Sequence, residues 1–217
     1  MKLRVVTKFA LNEVRFRHIQ RKYRHHSMVP ALDYCGTLHL ALKVMSVDGL
    51  IVECGTWRGG MIAGMADVLG ARRSYYLCDS FCGLPPAGQL DGPLAKAYQN
   101  NPSSPHYYDN CTASAEEART AMAMSGARNY TVLQGWFEET LSRFPPLPIA
   151  LLRLDADWYD STKCVLENLS RRVVPGGLII VDDYYTWQGC TLAVNEFAAK
   201  YKWQIRQNHH GVCYIQM

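Results

Sequence analysis

Apolar residues in this chain fall into two patterns, and their alternation predicts the fold. Short unbroken runs at Leu50–Val52, Ser74–Cys78, Tyr130–Leu133, Ile149–Leu154 and Leu178–Val181 have the composition of strands buried on both faces. Between them apolar positions recur at helical spacing: after Gly59-Gly60, over 112–126, from Asp160 through Arg172 and over 188–200. Strands alternating with helices predict a doubly wound α/β domain with a five-strand parallel sheet. Trp203–Arg206 and Val212–Ile215 fit an antiparallel hairpin at one edge, and Pro175-Gly176-Gly177 reads as the turn before the fifth strand. Residues 1–27 read as a basic helix and Leu32–Val47 as a second one beyond the break at Pro30. The expected organisation is an N-terminal helical segment over 1–47 and an α/β domain over 48–217. Residues 80–110 have no sustained period and are rich in Pro, Gly, Asn and Ser. A connection this long in a compact domain is usually functional or disordered, and Tyr98, His106, Tyr107 and Tyr108 favour a lid or binding loop.

Composition narrows the class. The 217 residues are 48% hydrophobic and 19% charged, the balance of a globular chain able to bury a core. The net charge is +4, and much of the excess lies in the first 25 residues, where eight bases face only Glu13. Such a cluster suits nucleic acid or a membrane surface, but it is more often a solvated helix or an oligomer contact. No nucleic-acid or membrane partner is therefore expected. No run has the length and apolarity of a membrane span or signal core, so a cytoplasmic chain is expected. The eight cysteines show no CxxC pair and no zinc spacing, and read as reduced thiols.

Candidate chemistry gathers at the ends of the apolar runs. Glu53 closes the first, followed by Gly55, Thr56, Trp57, Arg58, Gly59 and Gly60. A strand that breaks at glycines and restarts as a helix offers free backbone N–H groups and close approach to a ligand. The spacing is not the G-x-G-x-x-G of a pyrophosphate turn, and the leading acid suits a positively charged ligand such as the amino group or sulfonium of S-adenosyl-L-methionine. Asp79 ends the second run, where an acid either grips a ribose through its hydroxyls or caps a helix. Gly135-Trp136 follow the third, with the indole either against an adenine ring or in the core. Runs four and five end in Asp155/Asp157 and Asp182/Asp183. Carboxylates converging without a nearby lysine repel one another unless a cation joins them. With no His or Cys among them, a hard ion such as Mg2+ is favoured over simple helix caps.

Four segments together carry a resemblance. They are Glu53 through Gly60, Asp79-Ser80-Phe81-Cys-Gly-Leu-Pro85, Leu154-Asp155-Ala-Asp157-Trp-Tyr-Asp-Ser-Thr162, and Pro175-Gly-Gly177 through Asp182-Asp183-Tyr184. In this order they resemble the macrocin O-methyltransferase family from about Met28 onward. The resemblance implies a Rossmann-like class I methyltransferase fold and an S-adenosylmethionine- and Mg2+-dependent enzyme methylating a sugar hydroxyl of an antibiotic-type natural product. It assigns Glu53 through Gly60 to the methionine end of the cofactor, Asp79-Ser80-Phe81 to the ribose side and Gly135-Trp136 to the adenine. Asp155, Asp182 and Asp183 become the metal ligands. Asp155 is the expected proton acceptor, with His106 as a second candidate base. The resemblance also implies a homo-oligomer. The chain is short at its N-terminus and between Pro85 and Tyr130, where this family builds its lid and acceptor pocket. A catechol-type O-methyltransferase, a nicotinamide oxidoreductase and a non-catalytic assembly subunit are the rival readings. His209 and His210 read as surface or pocket-lining.

Overall fold

Seven strands form one sheet in the order β3-β2-β1-β4-β5-β7-β6 in the computed structural model, which describes residues 2–217 and side chains from residue 9 onward. The strands are β1 (Leu50–Cys54), β2 (Tyr75–Asp79), β3 (Tyr130–Gln134), β4 (Ile149–Leu154), β5 (Val173–Val181), β6 (Ile205–Gln207) and β7 (Cys213–Gln216). β1 to β5 are parallel, and β7 pairs antiparallel with both β5 and β6. This is the expected doubly wound sheet with an edge hairpin. Its order reverses between β1 and β4, so the crevice at their carboxyl ends is where a ligand belongs.

The helices are α1 (Lys2–Lys22), α2 (Ala31–Ala41), α3 (Gly60–Leu69), α4 (Gly92–Gln99), α5 (Ala115–Ser125), α6 (Phe137–Thr140), α7 (Tyr159–Leu169) and α8 (Gln188–Tyr201). Strand side chains alternate between faces, so β1 sends Ile51 to one core and Leu50, Val52 and Cys54 to the other. The Ile51 core includes Phe16, Ile19, Tyr34, Leu38, Ile62 and Met122 from α1, α2, α3 and α5. The opposite core takes Val165, Leu169, Val194 and Phe197 from α7 and α8. All eight cysteines are free. Among the described residues no helix is long and apolar enough to cross a membrane.

Two local expectations are corrected. Pro175-Gly176-Gly177 is not a turn before the fifth strand but lies inside β5 as a bulge. Opposite it the register jumps from Ile149↔Val173 to Leu151↔Leu178, which places the extra residues on β5. The middle segment is not wholly irregular, because GPLAKAYQ forms α4 with proline in its first turn. Eight residues are too few to display a period, and tertiary bonds fix the helix. Gln99 accepts from Ala87 N (2.8 Å) and donates to Pro85 O (2.9 Å), folding the segment back on itself. Asp91, buried ahead of α4, accepts from Tyr159 N at the start of α7 (2.6 Å) and from Gly88 N (2.7 Å).

Candidate active site

The turn after β1 is braced by the protein itself. Asp79 at the tip of β2 accepts from the backbone N–H groups of Thr56 and Trp57 through Oδ2, both at 2.7 Å, and from Phe81 N through Oδ1 at 2.7 Å. Gly60 N donates to His26 O at 2.8 Å. The N–H groups expected to be free for a ligand are therefore largely spent on internal bonds. Packing also constrains two of the glycines. A Cβ on Gly59, whose φ is +77°, would sit 2.9 Å from Ala118 Cα of α5, and one on Gly60 would sit 2.4 Å from His26 O. Arg58 turns outward to pair with Glu117 at 3.0 Å, its guanidinium 4.4 Å from the Trp57 ring.

Beyond this turn two cavities open at the carboxyl ends of the strands. The larger, about 220 Å³, is lined by Gly55, Asp79, Ser80, Leu84, Gly135 and Trp136, with Ser161 at the start of α7. The smaller, about 150 Å³, lies between the 26–30 loop and Glu53, Thr56, Asp182 and Asp183. Met28, Trp57, Asp155 and Asp157 line both, so the two chambers meet at the acidic rim. Trp57, Phe81 and Asp157 hold left-handed backbone at φ of 47°, 58° and 53°. Strain of this kind on non-glycine residues gathers where the surroundings over-determine a site. Arg58, Gly59, Gly60, Phe81 and His106 line neither cavity. Phe81 is buried, and exposed His106 neighbours Tyr108.

The cation that joins the carboxylates is already in the chain. Arg153 of β4 is fully buried, and its Nη1 donates to Glu53 Oε1 at 2.8 Å and to Asp155 Oδ2 at 2.7 Å, while Nη2 donates to Asp182 Oδ1. The expectation concerned lysine alone and did not weigh this arginine, which the structure places among the acids. The signal was present: an arginine inside the apolar run Ile149–Leu154 must be paired, and Glu53 lies in register with it on β1. Asp157 Oδ1 accepts from Trp187 Nε1 at 2.9 Å, and Asp183 Oδ2 from Asp157 N at 3.0 Å.

The bonding leaves a pattern. Asp155, Asp157, Asp182 and Asp183 each have one carboxylate oxygen engaged by the protein, and among the described residues no bond is made to the other. Oxygens of Asp155, Asp157 and Asp183 lie within 4.8 Å of one another. Burial pushes the Asp157 and Asp183 carboxyls well above the usual range, reinforced by the neighbouring acids. Burial also raises Asp182 to about 6 and Glu53 to about 8, against the opposing pull of Arg153. Glu53 Oε2 is buried without a partner. One guanidinium does not neutralise five acids, and a rim of hard oxygens with spare lone pairs has the donor chemistry for a divalent cation.

Comparison with known proteins agrees with the motifs. The family model for Macrocin-O-methyltransferase (TylF) matches residues 31–210. The demethyldecarbamoylnovobiocin O-methyltransferase of Streptomyces niveus is 36% identical over 167 residues, 72% of this chain and 60% of the relative. A tetracenomycin 4'-O-methyltransferase acting on a dimethoxy-rhamnosyl substrate, from Streptomyces olivaceus, is 33% identical over 186 residues, 81% of this chain and 69% of the relative. The chain thus spans about 60–70% of the length of these relatives. The solved O-methyltransferase NovP superposes with a TM-score of 0.73 at 30% identity, covering 88% of this chain and 81% of that one. The sheet is therefore that of a class I methyltransferase, and the chain belongs to the macrocin O-methyltransferase family.

Proposed function

We propose that this protein is an S-adenosylmethionine- and Mg2+-dependent O-methyltransferase that methylates a sugar hydroxyl of a glycosylated natural product. The observation that carries the reading is the meeting of two cavities at a rim of carboxylates with uncommitted oxygens. Family membership and the sugar-bearing substrate named for the Streptomyces olivaceus relative supply the reaction and acceptor class.

The cofactor fits what the residues offer. In this proposal Glu53 Oε2, buried and unpartnered, receives the amino group of the methionine end. Asp79 Oδ1, which takes only the Phe81 bond, accepts from the ribose, and the half-buried Trp136 borders the adenine. Asp155, Asp182 and Asp183 hold Mg2+ through their second oxygens, with Asp157 as a further donor on the same rim. An ion held there would lower the pKa of a substrate hydroxyl. The protein's own task is alignment, because displacement from a sulfonium requires the nucleophile in line with the methyl carbon. Asp155 takes the hydroxyl proton, while Arg153 holds Oδ2 and fixes the plane of the carboxylate. His106 is exposed and lines neither cavity, which favours Asp155 as the base.

The test is calorimetric titration with S-adenosylmethionine and with NADH, each with and without Mg2+, followed by turnover assays on glycosylated acceptors with catechols as control. Binding of S-adenosylmethionine alone and methylation of the glycosylated acceptors is the expected result. Asp155→Ala should abolish turnover while S-adenosylmethionine still binds; unchanged turnover would remove Asp155 from the mechanism. Binding of NADH alone would overturn the whole reading, and methylation of catechols alone would move the acceptor to aromatic diols.

A further inference from the structure

Away from the crevice, three histidines and a glutamate from three separate elements converge on one point. A single oxygen of Glu13 on α1, Oε1, lies 2.9 Å from His39 Nε2 of α2 and 2.7 Å from His210 Nε2 of the β6–β7 turn. His209 joins them, and one ligating atom from each of the four residues lies within 4.8 Å of the others. The rings cluster: His209 and His210 are 4.1 Å apart, and Phe9 lies 4.7 Å from both His39, on which it stacks, and His209, which it meets edge-on. Their positions are fixed by surrounding bonds. Asn208 Oδ1 accepts from the N–H groups of His210 and Val212, both at 3.0 Å, and its Nδ2 donates to Gly36 O at 3.0 Å, tying the turn to α2. Gly36 admits the turn, since a Cβ there would stand 2.7 Å from His210 Cβ.

We propose that Glu13, His39, His209 and His210 form a structural Zn2+ site that clamps α1 and α2 to the β6–β7 turn. Three imidazoles and one carboxylate are a tetrahedral zinc donor set and differ in kind from the all-oxygen rim of the crevice. With zinc–ligand bonds of about 2.0–2.1 Å, ligand atoms in a tetrahedral site are roughly 3.3 Å apart, so the two short contacts to Glu13 need open by only about half an ångström. Burial lowers the pKa of His39 and His209, favouring the neutral imidazole that a metal requires. Four protein ligands close the coordination sphere, so the ion braces the fold and takes no substrate. The spacing was hidden in the sequence because its donors lie 26 and about 170 residues apart on the chain.

The probe is Co2+, added to the chelator-treated 217-residue chain in excess Mg2+ so that the acidic rim is occupied. The expected result is one equivalent bound with the visible absorption of tetrahedral nitrogen–oxygen coordination, displaced by Zn2+. That band should be lost in His209→Ala, whose side chain makes ring contacts and no hydrogen bond among the described residues, and in His39→Gln, with far-ultraviolet circular dichroism unchanged. Asp157→Asn should keep it. Zn2+ should also raise the thermal midpoint of the wild-type chain but not of His209→Ala. No tetrahedral spectrum in the wild type, a thiolate charge-transfer band, a band that survives both histidine variants, or its loss in Asp157→Asn would each overturn the proposal.

Discussion

Arg153 is buried in β4 with three carboxylates as its hydrogen-bond partners, and each of those acids depends on it. Removing one partner of a buried ionic group leaves charge with no compensation. Arg153→Met should therefore cost about 3–5 kcal/mol in urea unfolding, far more than the loss of its apolar contacts. A cost under about 1 kcal/mol would mean that the acids are already neutral without it. The same network sets a pH dependence. Burial raises Glu53 from 4.5 to about 8 and Asp182 from 3.8 to about 6, so each binds its proton more tightly in the folded chain. Their contribution is full below the unfolded values and is lost as pH rises through the folded ones. Stability of the metal-free chain should fall between pH 3.8 and about 8, and Glu53→Gln should flatten the part of that decline above pH 4.5. Chemical denaturation across this window reads both effects; an unchanged slope in Glu53→Gln would assign the decline to other groups.

At the scale of elements, the parallel strands were readable because unbroken apolar runs have few alternatives in an α/β chain. Ile149–Leu154 is β4 to the residue. The acids were readable as a group because each lies where an apolar run ends. What the pattern could not give is partnership. Glycines after β1 look the same whether they admit a ligand or a helix, and only the fold shows that Gly59 faces α5. Arg153 was visible as a letter, but its register with Glu53 is a property of strand order. Likewise α4 is too short to announce itself, and Pro175–Gly177 carries turn residues whether it ends a strand or bulges from one. The packing role of Gly59 is testable. Gly59→Ala combines a positive φ with a Cβ 2.9 Å from the Ala118 backbone, and should lower stability by about 1–3 kcal/mol. Thermal unfolding reads the loss; a stable variant that no longer binds S-adenosylmethionine would instead return the glycine to the ligand.

Across the whole molecule, the open question is how the segment over 1–47 relates to the domain over 48–217. Phe16 and Ile19 of α1 and Tyr23 just after it are buried, and they share one core with Ile51 of β1, Ile62 of α3 and Leu178 of β5. Tyr34 of α2 donates to Gly60 O at 2.8 Å, beside the turn that His26 O closes. The 26–30 loop after α1 is also a wall of the smaller cavity. We therefore propose that residues 1–47 and 48–217 unfold as one cooperative unit and that α1 holds part of the crevice in place. Phe16 lies outside both cavities, so its truncation separates this idea from direct ligand contact. Phe16→Ala should cost about 3–5 kcal/mol, the usual consequence of emptying a buried aromatic site. Urea unfolding followed by tryptophan fluorescence and by far-ultraviolet circular dichroism should still give coincident single transitions, shifted to lower denaturant. If α1 were a separate unit, the variant would lose helical signal early while the fluorescence transition stayed where it is in the parent chain. Coincident transitions together with weaker S-adenosylmethionine binding would bear out both halves of the proposal, tying the N-terminal helix to the crevice it helps to enclose.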